Sequence, residues 1–228
     1  CNGFAYEKLG KPYRDAFAGL FNYATTPLYW QRFEPEDGTP QWANLDRMLD
    51  WLDSVKITPK GHPMMWLHRY AIPTWSAGWP YEKVRDRYRQ RIVDIARRYR
   101  DRLRIYDSIN EAHDWGNDLN YSSDQLLEMT RVACEATREG NPQALRIINN
   151  CNPWSEYVAT RLTYARKERR PLRSVMRYLK ACLAADIPFE AVGLQLYYPS
   201  VDLFEIDRML ERFAKLGKPI HITELGVS

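Results

Sequence analysis

Short apolar runs separated by longer amphipathic stretches recur along the whole of this 228-residue chain, and no other feature limits its fold as much. An apolar run followed by a helical stripe is the signature of a strand whose chain crosses back over the sheet, so successive strands lie parallel. The runs predict strands near 19–25, 57–66, 103–109, 145–150, 191–198 and 219–225. Between them, apolar residues at steps of three and four predict helices: Leu45, Met48, Leu49 and Leu52; Val84, Tyr88, Ile92, Ile95, Ala96 and Tyr99; Leu126, Met129, Val132 and Ala133. Two more carry Val175, Tyr178, Leu179 and Cys182, and Leu203, Ile206, Met209, Leu210 and Phe213. Gly217 before Lys218-Pro219 reads as a helix C-cap and stop. The fold class is therefore α/β. A doubly wound sheet would favour a glycine-rich phosphate loop, which is absent, whereas polar residues ending several strands suit a (β/α)8 barrel of the TIM type. The expectation is one such barrel domain over residues 1–228, incomplete, with six of eight strands visible.

The net charge of +4 comes largely from arginine-rich stretches at 85–104 and 165–173. In the first, the apolar stripe already occupies one helical face, which leaves the arginines on a solvated face and argues against a nucleic-acid partner. No run approaches the roughly 20 apolar residues that span a bilayer, so no membrane span is expected, and no signal peptide is seen. Cys1, Cys134, Cys151 and Cys182 have neither metal spacing nor a dense disulfide framework; most are expected to be buried thiols, with no metal and no other cofactor. Aromatic residues at 13%, with 8 Trp and 15 Tyr, are abundant and suggest a flat ligand. Trp30, Trp75, Trp115 and Trp154 fall near strand ends where an indole can stack on a ligand, although packing accounts for any one of them; Trp42 and Trp51 fall in a helix.

The polar strand ends are Asn110-Glu111, Asn149-Asn150, Gln195 with Tyr197, and Thr223-Glu224. Glu111 and Glu224 follow β-like runs on separate strands, and in a barrel such carboxylates face each other across the mouth. Two carboxyls in different environments are what glycosidic cleavage requires: a proton for the leaving oxygen, and a negative charge for the oxocarbenium-like centre. A lone glutamate at a strand end would be an ordinary loop carboxylate.

The flanking residues resemble the retaining xylanases of glycoside hydrolase family 10, through "EPEDG" (34–38), "GHPMMW" (61–66), "PTW" (73–75), "YDSINEA" (106–112), "VGLQLYY" (192–198) and "ITEL" (222–225), in family order over residues 19–228. The resemblance implies a retaining hydrolase of β-1,4-linked xylan or a related plant-wall β-glycan, acting through a covalent glycosyl-enzyme. It implies Glu111 as general acid/base and Glu224 as nucleophile, with Asn110 donating to the 2-hydroxyl of the reacting sugar. Gln195 then hydrogen-bonds near the nucleophile, and His62 and Trp66 contact the sugar beside the scissile bond. A polysaccharide or oligosaccharide partner, a monomer and a secreted or cell-surface location are expected on the same basis. The chain also departs from the family. Thr25, Thr26 and Tyr29 stand where Glu, Asn and Lys grip the second sugar, and Leu67 replaces a polar His. Tyr197 and Gly226 replace a His and an Asp that support the nucleophile, so the Tyr197 phenol is expected to donate directly to Glu224 and hold it ionised. The family's first strand is expected before Phe4 and its eighth after Ser228. The alternative is a non-catalytic carbohydrate-binding protein on a degenerate barrel.

Overall fold

The computed structural model describes residues 3–113, 116–154, 173–198 and 203–227; Cys1, Trp115 and most of the basic run at 165–173 lie outside them. Six strands form one sheet: β1 (Tyr23–Pro27), β2 (Thr58–His62), β3 (Ile105–Asn110), β4 (Leu145–Asn150), β5 (Ala191–Tyr198) and β6 (Ile220–Val227). They are ordered β1-β2-β3-β4-β5-β6, and every neighbouring pair is parallel. Each strand pairs with the next in the chain after a helical crossover, which is the build of an incomplete (β/α)8 barrel. All carboxyl ends therefore lie at one rim.

The described helices are α1 (Gly10–Leu20), α2 (Trp30–Phe33), α3 (Trp42–Ser54), α4 (Tyr81–Arg98), α5 (Ser123–Gly140), α6 (Val175–Ala184) and α7 (Leu203–Ala214). The apolar stripes read from the sequence are the buried faces of α3, α4, α5 and α6, which cover the sheet. On α7 only Met209 and Phe213 of the expected stripe are buried, and Leu203 is exposed. α1 was not among the expected helices, and the strand placed at 19–25 begins four residues later, because Gly19 and Leu20 complete α1.

The arginines of α4 spend their charge on neighbouring helices. Arg98 pairs with Asp46 of α3, and Arg85 and Arg89 pair with Glu128 and Glu139 of α5. Exposed pairs of this kind each contribute about 0–1 kcal/mol, so they orient α4 more than they stabilise it. Arg91 differs: it is buried, and it donates to the carbonyls of Met64 and Leu28, tying together the loops that follow β1 and β2. Burial lowers its pKa to about 10. Cys134, Cys151 and Cys182 are buried and in no disulfide among the described residues.

Candidate active site

Glu111 is the first residue beyond β3 and takes a left-handed backbone, φ +54°. Such a conformation costs a non-glycine residue about 1–2 kcal/mol, and here two hydrogen bonds hold it. The Glu111 amide donates to Asn149 O (2.8 Å), and the Gly116 amide donates to Glu111 O (3.0 Å). A register shift between Asp107 and Ile109, against β4, precedes the turn. Irregularities of this kind re-aim side chains at the ends of strands.

The Glu111 carboxyl is buried at 7% exposure. Gln195 Nε2 donates to its Oε1 at 2.7 Å, while Oε2 has no hydrogen-bond partner among the described residues. Burial drives the Glu111 pKa up to about 8; the nearby charge of Glu224 adds to the rise, and the Gln195 donor opposes it. Near neutral pH this is a protonated carboxylic acid. Since Oε1 accepts from Gln195, Oε2 is the oxygen that can carry a proton without displacing that donor. Trp66 Nε1 is likewise buried without a partner, close enough to Glu111 to favour its ionised form slightly but outside hydrogen-bonding geometry. Gly116 makes room for that indole, because a Cβ there would lie 2.8 Å from Trp66 Cδ1 and Nε1.

Glu224 lies within β6, opposite Gln195 of β5 in the register. Each of its oxygens has a donor: the Tyr197 hydroxyl lies 2.5 Å from Oε2, and Asn149 Nδ2 lies 3.2 Å from Oε1. Asn149 Nδ2 also donates to Asn110 Oδ1 (2.7 Å), which accepts from Gln195 Nε2 at 3.4 Å as well. A continuous run of amides thus joins the two carboxylates, from Glu111 through Gln195, Asn110 and Asn149 to Glu224. With Oδ1 of Asn110 occupied twice, its amide NH2 is fixed as the end left for other partners.

His62 ends β2, and its Nε2 lies 3.9 Å from Glu224 Oε1. The other nitrogen, Nδ1, is 2.7 Å from Asp107 Oδ2, the oxygen that also takes Lys60 Nζ at 2.5 Å. Lys60 and His62 are two apart on one strand and so share a face. The Asp107 carboxyl is fully buried, which alone would raise its pKa, but the Lys60 charge and the His62 contact outweigh burial and hold it below the usual range. Tyr29 packs edge-on to His62 (ring centroids 5.6 Å) and tilted against Trp66 (5.8 Å).

The structure thus brings all seven residues singled out from the sequence to one rim: Asn110, Glu111, Gln195, Tyr197, Glu224, His62 and Trp66. A cavity of about 320 Å3 opens beside Glu224, lined in part by Thr25, Tyr29, His62 and Tyr197; Glu111 is not on its wall. Of the three replaced positions, Thr25 and Tyr29 face this cavity, whereas Thr26 is buried and donates to Lys60 O (3.0 Å). Sequence reasoning assigned no role to Lys60, Asp107, Asn149, Thr223 or Gly116. Asn149 was visible as a polar strand end, and the two-residue spacing of Lys60 and His62 was the available signal for their shared face.

Fold and site together define an incomplete (β/α)8 barrel with two carboxylates in unlike environments at the carboxyl ends of its strands. The chain belongs to glycosyl hydrolase family 10, whose model matches residues 10–228. It is 24% identical over 222 residues to an endo-1,4-beta-xylanase B of Paenibacillus barcinonensis, covering 90% of this chain and 61% of that one. It is 25% identical over 217 residues to endo-1,4-beta-xylanase 2 of Arabidopsis thaliana, covering 94% of this chain and 19% of that one. Among solved structures, a family 10 endoxylanase retrieved from a sugarcane soil metagenome superposes with a TM-score of 0.77 at 22% identity, covering 99% of this chain and 65% of its own. Xylanase 10B of Thermotoga petrophila RKU-1, in complex with xylobiose, gives 0.73 at 22%, covering 94% and 64%. The chain spans less than two thirds of each of these proteins.

Proposed function

We propose that this chain is the catalytic barrel of a retaining glycoside hydrolase that cleaves β-1,4-linked xylan or a related plant-wall β-glycan by double displacement. The observation that carries the reading is the contrast between the two carboxyls. Glu111 is buried and keeps its proton up to about pH 8, with one oxygen unpartnered. Glu224 is partly exposed, at 27% for its side chain, and receives one donor on each oxygen, which fixes its orientation. In the first step the Glu111 carboxyl gives its proton to the leaving glycosidic oxygen while a Glu224 oxygen attacks the anomeric carbon, forming a glycosyl ester. In the second, Glu111, now ionised, takes a proton from water as that water attacks the same carbon and Glu224 leaves as carboxylate. The Asn110 NH2 donates to the sugar 2-hydroxyl; His62 and Trp66 bind the sugar at this position, and Tyr197 and Gln195 hold the two carboxyls. Thr25 and Tyr29 carry no charge, so the second-sugar subsite is rebuilt and relies on packing and hydroxyl contacts.

Turnover of an aryl β-xylobioside decides the matter. Hydrolysis that Glu224→Ala abolishes supports the reading. Measurable binding of xylo-oligosaccharides by the wild-type chain with no turnover overturns it in favour of a sugar-binding protein.

A further inference from the structure

The support for Glu224 has a feature that single-residue roles do not capture. Tyr197 and Gly226 are direct register partners across β5 and β6. A Cβ at position 226 would lie 2.4 Å from Tyr197 Cδ1 and 2.8 Å from Cε1. The phenol ring therefore lies in the volume that any side chain at 226 would fill. Glu224 and Gly226, two apart on β6, share one face, so a ring seated over 226 brings its hydroxyl to the carboxylate two residues earlier. The distance is 2.5 Å to Oε2.

We propose that Tyr197 and Gly226 are one positioning device for Glu224, in which the bare backbone of Gly226 is the slot that confines the phenol. This rests on the reading of Glu224 as nucleophile. Tyr197 is 52% exposed, so water competes for its hydroxyl and little packing on its outer side fixes the ring. The slot supplies the confinement. On the other side of the carboxylate, Thr223 Oγ1 donates to Asn149 Oδ1 at 2.5 Å, which turns the Asn149 NH2 toward Glu224 Oε1. The carboxylate is thus held in one plane by a donor at each oxygen, and the Tyr197 half of that clamp depends on residue 226 having no side chain. Tyr197 and Gly226 form a matched pair: a β-carbon at 226 forces the ring out and moves the hydroxyl from reach.

The test combines Tyr197→Phe, Gly226→Ala, their double variant, Tyr197→Ala, and Tyr197→Ala combined with Gly226→Ala. Covalent labelling by an aryl 2-deoxy-2-fluoro-β-xylobioside, followed by intact mass, reads the nucleophile. Each single variant is expected to slow labelling by about 10- to 100-fold, the range for losing a charge-assisted hydrogen bond, and Tyr197→Phe with Gly226→Ala is expected to be no slower than the slower single. Multiplicative losses in that double variant overturn the proposal. Two readouts need no turnover. With 3-fluorotyrosine at 197, the 19F titration of the phenol should fall by about one pH unit or more in Gly226→Ala, since burial and the bond to Glu224 both raise the Tyr197 pKa; an unchanged titration overturns the coupling. Among the described residues, Tyr29, Lys60 and His62 share the cavity with Glu224 and Glu111 lies near it, and none of them is altered in these variants. Gly226→Ala should also lower the melting temperature in the presence of Tyr197 but not in the Tyr197→Ala background; equal cost in both overturns the slot. A wild-type chain that never takes the label defeats the nucleophile reading, while the fluorine and melting data still decide whether Tyr197 and Gly226 act together.

Discussion

Replacing Glu111 by Gln should stabilise the fold, and by an amount that grows with pH. The Gln keeps an oxygen for the Gln195 donor and places an NH2 where the acid can carry its proton. In the unfolded chain Glu111 ionises near its ordinary value of 4.5, whereas in the fold burial holds the proton to about 8. Below pH 4.5 both states are protonated and burial of the group exacts no ionisation penalty. Between 4.5 and 8 the unfolded chain gives up its proton and the fold does not, so stability declines as pH rises; above 8 the penalty is constant. At about 1.4 kcal/mol per pH unit, the interval of about 2.5 units at pH 7 gives about 3.5 kcal/mol. The full interval gives about 5 kcal/mol at pH 9. Urea unfolding of wild type and Glu111→Gln at pH 4, 7 and 9 measures this directly. The expected stability difference is near zero at pH 4, large at pH 7 and largest at pH 9, in favour of the variant. A difference that does not change across the three would refute the claim that burial keeps Glu111 protonated.

The same ionisation predicts the rate profile. On the proposed role of Glu111 as general acid, hydrolysis of a substrate with a poor leaving group should fall as pH rises through about 8, where Glu111 ionises; with an activated aryl leaving group that limb should vanish, as paired pH–rate profiles would show. Asp107→Ala should destabilise the fold by about 3–5 kcal/mol, because it leaves the buried Lys60 ammonium uncompensated. Thermal or urea unfolding measures that loss, and kcat/KM should fall as well once the His62 ring loses its Nδ1 partner.

The strands could be read in the sequence because short β-like runs alternate with helical stripes, although β2 (TPKGH) is itself largely polar, and a one-residue error in such a run does not change the order of a parallel sheet. The α4 stripe was equally plain, but Arg91 was not: on the helical wheel it is one more arginine, and only the approach of two loop carbonyls makes its burial affordable. The carboxylates were legible through their flanking motifs. The machinery between them was less so. Lys60 in a strand reads as solvent-facing until Asp107 is placed beside it by a strand 47 residues further on. Gly116 has no local signature, since its lack of a side chain matters only against Trp66. Tyr197 and Gly226 were noticed as departures, and their direct contact came from the β5–β6 register, which sequence spacing does not specify.

Asn149 touches both halves of the chemistry in different ways: its backbone oxygen receives the Glu111 amide, and its side chain donates to Glu224. Mechanically, β4 is a common datum for two groups that belong to other strands. Both carboxyls are thereby referred to a strand to which neither belongs. One asparagine is thus a shared reference for both carboxyls, alongside the Gln195 bond to Glu111 and the Tyr197 bond to Glu224.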